Sequence, residues 1–290
     1  MAKVAALTLM KNEADILPNK LKYMEDQVDY YLFLDNESDD NSVEIVSKHP
    51  KTVFCDIVKG TFKTTMRDIL IREAQKYIKE EDWIVLIDCD EVPFFNIKNQ
   101  IMNIDTKYNC IRVYFLYFFF TKEMYSRWSR DEVYRKNISN FTIKNYLYFA
   151  PTKFSDIRGV KNIKINEERL LLTKLKLSLP LPKPTIIYDN DLYFGHYQYR
   201  NPEQIRTRLE TRKKAIEMGS PSFHFYTKKW GLKDWNYKKV FVSEKKLIRY
   251  DYDKPFTMKN LKLKKMNKLF FKLFNPRKFF IYTFKYLFKK

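Results

Sequence analysis

Glycine is scarce in this chain: five occur in 290 residues. They form no GxGxxG or Walker-type run, which excludes a glycine-cradled phosphate loop. Cysteine is as sparse. Cys55, Cys89 and Cys110 are odd in number and far apart, so no disulfide framework is encoded and a reducing compartment is expected. No apolar run has the length needed to span a bilayer. The apolar stretch Val4 to Leu9 is too short for the core of a signal peptide, so a cytoplasmic location is expected. Acidic residues are the minority charge, 35 against 55 Lys and Arg, giving a formal net charge of +20. A surplus of that size calls for a polyanionic partner: nucleic acid, an anionic membrane surface or a phosphorylated substrate.

Apolar residues are plentiful, at 45% with 17% aromatic, enough to build a core. Val4 to Leu9, Tyr30 to Leu34, Val53 to Val58 and Trp83 to Ile87 read as buried strands. Between them, Leu17, Leu21, Met24 and Val28 recur at helical spacing after a possible cap at Asp15. Thr65 and Asp68 have the spacing of a second helix start. Alternating strands and helices predict an α/β fold with a mostly parallel sheet flanked by helices. Cys110 to Phe120 reads as a further strand, and Asn201-Pro202-Glu203 as a capped helix start running towards Gly219. Residues 121–185 give no clear pattern beyond a stiff connector at Pro180, Pro182 and Pro184.

In a parallel sheet, ligands bind beyond the carboxyl ends of the strands. Three such ends carry polar clusters: Lys11-Asn12-Glu13, Asp35 to Asp40, and Asp88-Cys89-Asp90-Glu91. Right-handed crossovers put all three on one edge. Two carboxylates straddling one residue after a buried strand suit a divalent cation, which takes one or two carboxylates and completes its shell with water and phosphate. An acidic turn capping a helix is the plainer reading of the same triplet. Asp35 to Asp40 suits hydrogen bonds to a base or ribose, or else an Asx-rich turn. His196, within Tyr193-Phe194-Gly195-His196-Tyr197, is a candidate metal ligand or a core histidine. Lys63, Arg67, Lys153 and Arg200 could face a diphosphate, and Arg67 is favoured because it opens the helix leading to Asp88.

Taken in order, these segments resemble family-2 and family-92-like glycosyltransferases with the A-type fold. Val4 to Glu13, Phe33 to Asp40 and Trp83 to Glu91 carry the resemblance, with Gly195-His196-Tyr197-Gln198-Tyr199-Arg200 and Pro202-Glu203-Gln204 as its later part. It covers roughly residues 3–215. The resemblance implies that Asn12 or Glu13 and Asp35 hold the base and ribose of a nucleotide-sugar donor, a UDP-sugar being favoured. It implies Asp90 and His196 as ligands of Mn2+ or Mg2+, with Asp88 contacting the ribose or a metal-bound water, and inverting transfer by a single displacement. The catalytic base is left open by it. Glu91, Asp131, Glu132 and Asp156 are candidates, and Asp156 is taken because Lys153-Phe154-Ser155-Asp156 reads as a polar break after an aromatic strand.

From Leu261 to Lys290 there are ten Lys or Arg, nine Phe or Tyr, and no Asp or Glu. Leu269, Phe270, Leu273 and Phe274 share one helical face. Such a basic aromatic segment suits the interface of an anionic membrane, or packing on its own domain with a solvated basic face. A catalytic domain over 1–255 and a tail over 256–290 are expected, with a lipid-linked glycan acceptor in bacterial surface-polysaccharide assembly. A nucleotidyltransferase is the competing enzyme. A nucleic-acid-binding protein is the competing non-enzyme, disfavoured because the acidic clusters crowd the ligand edge.

Overall fold

The computed structural model describes residues 1–60, 66–140, 142–162, 179, 181–182, 184–217 and 240–253. Lys63, Thr65, His224, most of the stretch 170–181, the side chain of Lys153 and the whole basic tail lie outside them.

The fold is α/β, with helices flanking a mixed, curled sheet. Strands β1 (Val4–Met10), β2 (Tyr30–Asp35), β3 (Thr52–Ile57) and β4 (Trp83–Leu86) are parallel, in the order β3-β2-β1-β4. β1, β2 and β4 are buried on both faces, which explains their continuous apolar runs, while β3 is a half-exposed edge strand. The pleat of β1 sends Val4 and Ala6 to one core cluster and Ala5 and Leu7 to the other. Helix α1 (Leu17–Met24) packs Leu17, Leu21 and Met24 into the first; α3 (Met66–Ala74) packs Leu70, Ile71 and Ala74 into the second. A short α2 (Ser42–Ser47) joins β2 to β3. The N-cap of α1 is Ile16 without a side-chain cap, so Asp15 does not cap it.

Beyond β4 the sheet departs from the expected mostly parallel arrangement. After the short β5 (Glu91–Pro93) come α4 (Ile97–Asn103), β6 (Cys110–Phe119), α5 (Lys122–Trp128), α6 (Glu132–Ser139) and a fourteen-residue β7 (Tyr148–Lys161). β7 enters the sheet antiparallel to both β4 and β6. It was illegible in the sequence because Pro151, Lys153, Asp156, Arg158 and Lys161 break any period-2 pattern. Asp156 therefore lies within a strand, opposite Val113 of β6, and not in a polar break. β8 (Ile187–Tyr188) and β9 (Tyr193–Tyr199) run parallel to β6, β9 pairs antiparallel with β5, and β10 (Ile248–Arg249) edges β7. Helix α7 (Pro202–Glu217) follows β9, and Asn201 accepts from the Gln204 N–H at 2.9 Å, as its capping pattern predicted.

The sheet order ends β4-β7-β6-β9-β5, yet β5 begins within a few residues of the end of β4. Strands so far apart in a flat sheet cannot be joined by so short a link. The sheet must curl so that β5 and β9 return to the carboxyl end of β4, which brings His196 back to the Asp88–Glu91 turn. The close approach is tight at Gly195, where an added Cβ would lie 2.8 Å from the ring of Phe94 and 2.9 Å from that of Tyr197. Both rings are stacked in the core and cannot yield freely: Phe94 on Tyr250, Tyr197 on Phe118. Gly195→Ala is expected to cost about 1–3 kcal/mol in urea unfolding, as an overpacked core position does. A neutral substitution would show that the β5–β9 closure is not as tight as described.

Candidate functional site

The strand order places the topological switch between β1 and β4. From β1 the chain moves outward to β2 and β3, then crosses to β4 on the other side. The crevice at such a point is where open α/β sheets bind ligands. The three polar clusters meet there.

Two of them are stitched together. Asn12 and Glu37 both have left-handed backbones, with φ of 55° and 57°. Such conformations cost a non-glycine residue of order 1 kcal/mol and are held only by their surroundings. Here the Asn12 N–H donates to Ser38 Oγ at 2.8 Å, and Asn12 Oδ1 accepts from the Asp39 N–H at 2.9 Å. The Gly60 N–H donates to Glu37 at 3.0 Å. Asp35 is fully buried and accepts from the Ser38 N–H at 2.7 Å and its hydroxyl at 2.5 Å. Expected to hold base or ribose, it instead closes the loop from within. Its oxygens are spent on Ser38.

The third cluster is a turn with reciprocal bonds. The Glu91 N–H donates to the Asp88 carbonyl at 3.0 Å, and the Asp88 N–H to Glu91 Oε2 at 3.0 Å. Lys20, itself buried, also donates to the Asp88 carbonyl. The two carboxylates of the triplet differ. Asp88 keeps 31% of its side chain exposed, Asp90 only 5%. Burial opposes both charges, but Arg158 and Arg67 bring the Asp88 carboxyl below its usual range. The charges of His196 and Arg208 hold Asp90 well below its own. Asp90 Oδ2 lies 3.2 Å from His196 Nε2 and 3.0 Å from Arg208. Among the described residues it nevertheless accepts no hydrogen bond of good geometry, and His196 Nδ1 has no partner. Burial alone would lower the His196 pKa, but the neighbouring Asp90 charge raises it.

That buried, poorly satisfied oxygen facing an imidazole nitrogen is the test of the metal expectation. Two ligands about 2.1 Å from one Mg2+ or Mn2+ and at right angles would be about 3 Å apart, so the spacing fits. Among the described residues no third His, Cys, Asp or Glu completes a metal-holding group. The fit is that of two protein ligands, with the remaining positions left to phosphate and water.

Arginines surround this centre, and most were not singled out in the sequence. Arg158 on β7 is buried, 2.7 Å from Glu91, 3.7 Å from Asp88 and 3.5 Å from Asp156, and over the Phe115 ring. Arg67 on α3 stands 3.7 Å from Asp88, with its Nε unpartnered among the described residues. Arg200 is fully buried and binds Glu13 at 2.5 Å and Asp15 at 2.7 and 2.8 Å. This corrects two expectations: Arg200 is not available to a diphosphate, and Glu13 is engaged by a guanidinium rather than open to a nucleoside. Arg208 and Arg212 share one face of α7 by their i,i+4 spacing, on a helix that the sequence placed without marking either of them.

Glu91, a candidate base, is 1% exposed, bonded to Arg158 and to the Asp88 backbone. It sets the turn and cannot meet an acceptor. Asp131 caps α6, accepting from the Tyr134 N–H at 2.9 Å. Asp156 remains 19% exposed beside Arg158. A depression of about 350 Å³ between α1 and α2, lined by Lys22, Lys48 and His49 among others, includes none of these groups.

Burial pushes Glu91 up to about 7 against the opposing Arg158 charge, with Asp88 adding to the rise. A carboxyl raised on folding loses stability as pH climbs from its unfolded pKa, about 4.5, through its folded one. Glu91→Gln lacks that titration. It is expected to gain on wild type by up to about 3 kcal/mol between about pH 4.5 and 7, then level off. Urea unfolding of both across that range checks it; a flat difference, or one growing in favour of wild type, contradicts the assignment.

No protein-family model matches the chain, and no curated protein does. Among solved structures it is similar to a chain described as a glucose-1-phosphate thymidylyltransferase from Bacillus anthracis, in complex with sucrose. The identity is 8% and the TM-score 0.26, over 41% of this chain and 56% of that one. The match spans about half of that chain, and at this level it carries no argument about family or activity. The resemblance to family-2 and family-92-like glycosyltransferases rests on the motifs quoted above alone.

Proposed function

We propose that the protein transfers a sugar from a nucleotide-sugar donor, a UDP-sugar being favoured, to a hydroxyl of a glycan or glycolipid. The observation that carries this reading is the convergence of Asp88, Asp90 and His196 at the β1/β4 switch point, ringed by arginines. Asp90 and His196 would hold Mn2+ or Mg2+, which when bound stabilises negative charge on the departing diphosphate. Asp88, the accessible carboxylate, faces the donor. Arg67 supplies a cation beside it for phosphate oxygens. Asn12 and the loop shaped by Asp35 form the nucleoside side of the crevice. The acceptor oxygen attacks the anomeric carbon, the bond from that carbon to the diphosphate oxygen breaks, and the acceptor proton passes to a carboxylate. Asp156 is the described candidate for that base, since it is partly exposed and level with Asp88 in the sheet.

The carboxyl ends of β6 and β9 face the same edge as those of β1 and β4, because β6 and β4 are both antiparallel to β7. The acceptor side is therefore assigned to α5 and α6, which follow β6. No described helix is long and apolar enough to cross a membrane. Access to a lipid-linked acceptor on the inner membrane face falls to the basic tail, whose deletion is expected to abolish sedimentation with anionic vesicles.

Incubation with labelled UDP-sugars and Mn2+ is expected to release UDP. Asp90→Asn is expected to lower the rate at least about 100-fold, equivalent to about 3 kcal/mol of lost charge stabilisation. Release of pyrophosphate would indicate nucleotidyl transfer, and full activity in Asp90→Asn would remove Asp90 from the mechanism.

A further inference from the structure

Three arginines, one just after β9 and two on α7, surround Asp90, and they are held very differently. Arg200 has no exposed surface, with bonds to Glu13, Asp15 and the Tyr197 carbonyl. The Arg212 guanidinium lies 3.2 Å from the Tyr199 hydroxyl and, with the Gln198 amide turned to suit it, also donates to that side chain. Arg208 is the loosely held member. Its side chain is 24% exposed and its Nε has no partner among the described residues. Its contacts are Asp90 Oδ2 at 3.0 Å and Glu13 Oε1 at a long 3.4 Å.

The oxygen that Arg208 approaches is the one facing His196 Nε2. A divalent ion seated between Asp90 and His196 would need that oxygen for itself and would repel a guanidinium beside it. The local charges are already matched, with Glu13, Asp15 and Asp90 set against Arg200, Arg208 and Arg212. An added divalent ion leaves a positive surplus, which only an anionic ligand can offset. Arg208 has a free N–H, an exposed flank and a long flexible stem, so a change of rotamer can move its head group.

We propose that Arg208 is an exchangeable cation: it competes with the divalent ion for Asp90, and when displaced it binds the diphosphate of the donor. This rests on the metal-dependent reading above and assigns a role to a residue which that reading leaves unused. It predicts effects of opposite sign from a single substitution, which a merely structural role would not produce.

The test uses the full chain, with Mn2+ binding followed by electron paramagnetic resonance of the free ion and UDP binding by calorimetry at saturating Mn2+. Removing one close charge contact is worth at least about tenfold in affinity. Arg208→Gln is expected to bind Mn2+ about tenfold more tightly, and UDP about tenfold more weakly, than wild type. Arg208→Lys, which keeps the charge without the fork, is expected to leave Mn2+ binding near wild type and to weaken UDP binding less. Unchanged or weakened Mn2+ binding in Arg208→Gln overturns the competition, and tightened Mn2+ with unchanged UDP overturns the transfer to the diphosphate. If Arg208→Gln does not fold, Arg208→Lys decides by the same two readouts, with UDP affinity equal to wild type counting against the proposal. Asp90→Asn separates this from the parent reading: if it leaves Mn2+ binding intact, the ion does not sit at Asp90 at all.

Discussion

The guanidinium of Arg200 is sealed from solvent, and everything at the carboxyl edge depends on where it is anchored. It joins the end of β9 to Glu13 and Asp15, which lie some 185 residues earlier, in the link from β1 to α1. A buried charge with its partners removed costs about 3–5 kcal/mol, so this triad is an expensive arrangement to leave incomplete. Because it is complete, β9 cannot slide along β5 and β6 without tearing it. The register Glu91↔His196 and Tyr117↔His196 is thereby fixed, and with it the meeting of His196 and Asp90.

Around that anchor the charges differ in access. Glu91 and Arg158 are nearly inaccessible and hold the Asp88–Glu91 turn. Asp90 is as deeply buried, and its Oδ2 and His196 Nδ1 are poorly satisfied among the described residues. Asp88 and Arg208 are the most open of the set. The inaccessible pair acts on geometry, and the open groups can act on a ligand. A fold that only needed a stable turn would have no use for an acceptor as ill-provided as Asp90 Oδ2, since such atoms are costly in the interior. This arrangement is the physical argument for binding at the switch point.

Much of the frame was legible in the sequence. β1, β2 and β4 announce themselves as continuous apolar runs because both their faces are covered, and the polar residues after each run mark one edge. β7 was hidden because charged residues on it serve the site rather than a solvent face, which spoils its alternation. Asp156 was noticed for the wrong reason: it is part of that strand, opposite Val113 of β6 and beside Arg158. Arg158 and Arg208 could not have been chosen among 55 basic residues, since what distinguishes them is burial beside carboxylates brought from elsewhere. Asp35 and Glu91 were noticed as acids at strand ends. Their inward roles, closing a loop and bonding a buried arginine, depend on tertiary contacts that spacing does not encode.

The central claim is that the crevice between β1 and β4 receives a nucleoside diphosphate group. Photo-crosslinking with an azido-uridine diphosphate analogue in the presence of Mn2+, followed by peptide mapping, tests it directly. Labelling is predicted within residues 11–13, 35–40 and 88–90, and it should be suppressed by excess UDP. Competable labelling confined to the depression between α1 and α2, at Lys22, Lys48 or His49, would contradict it.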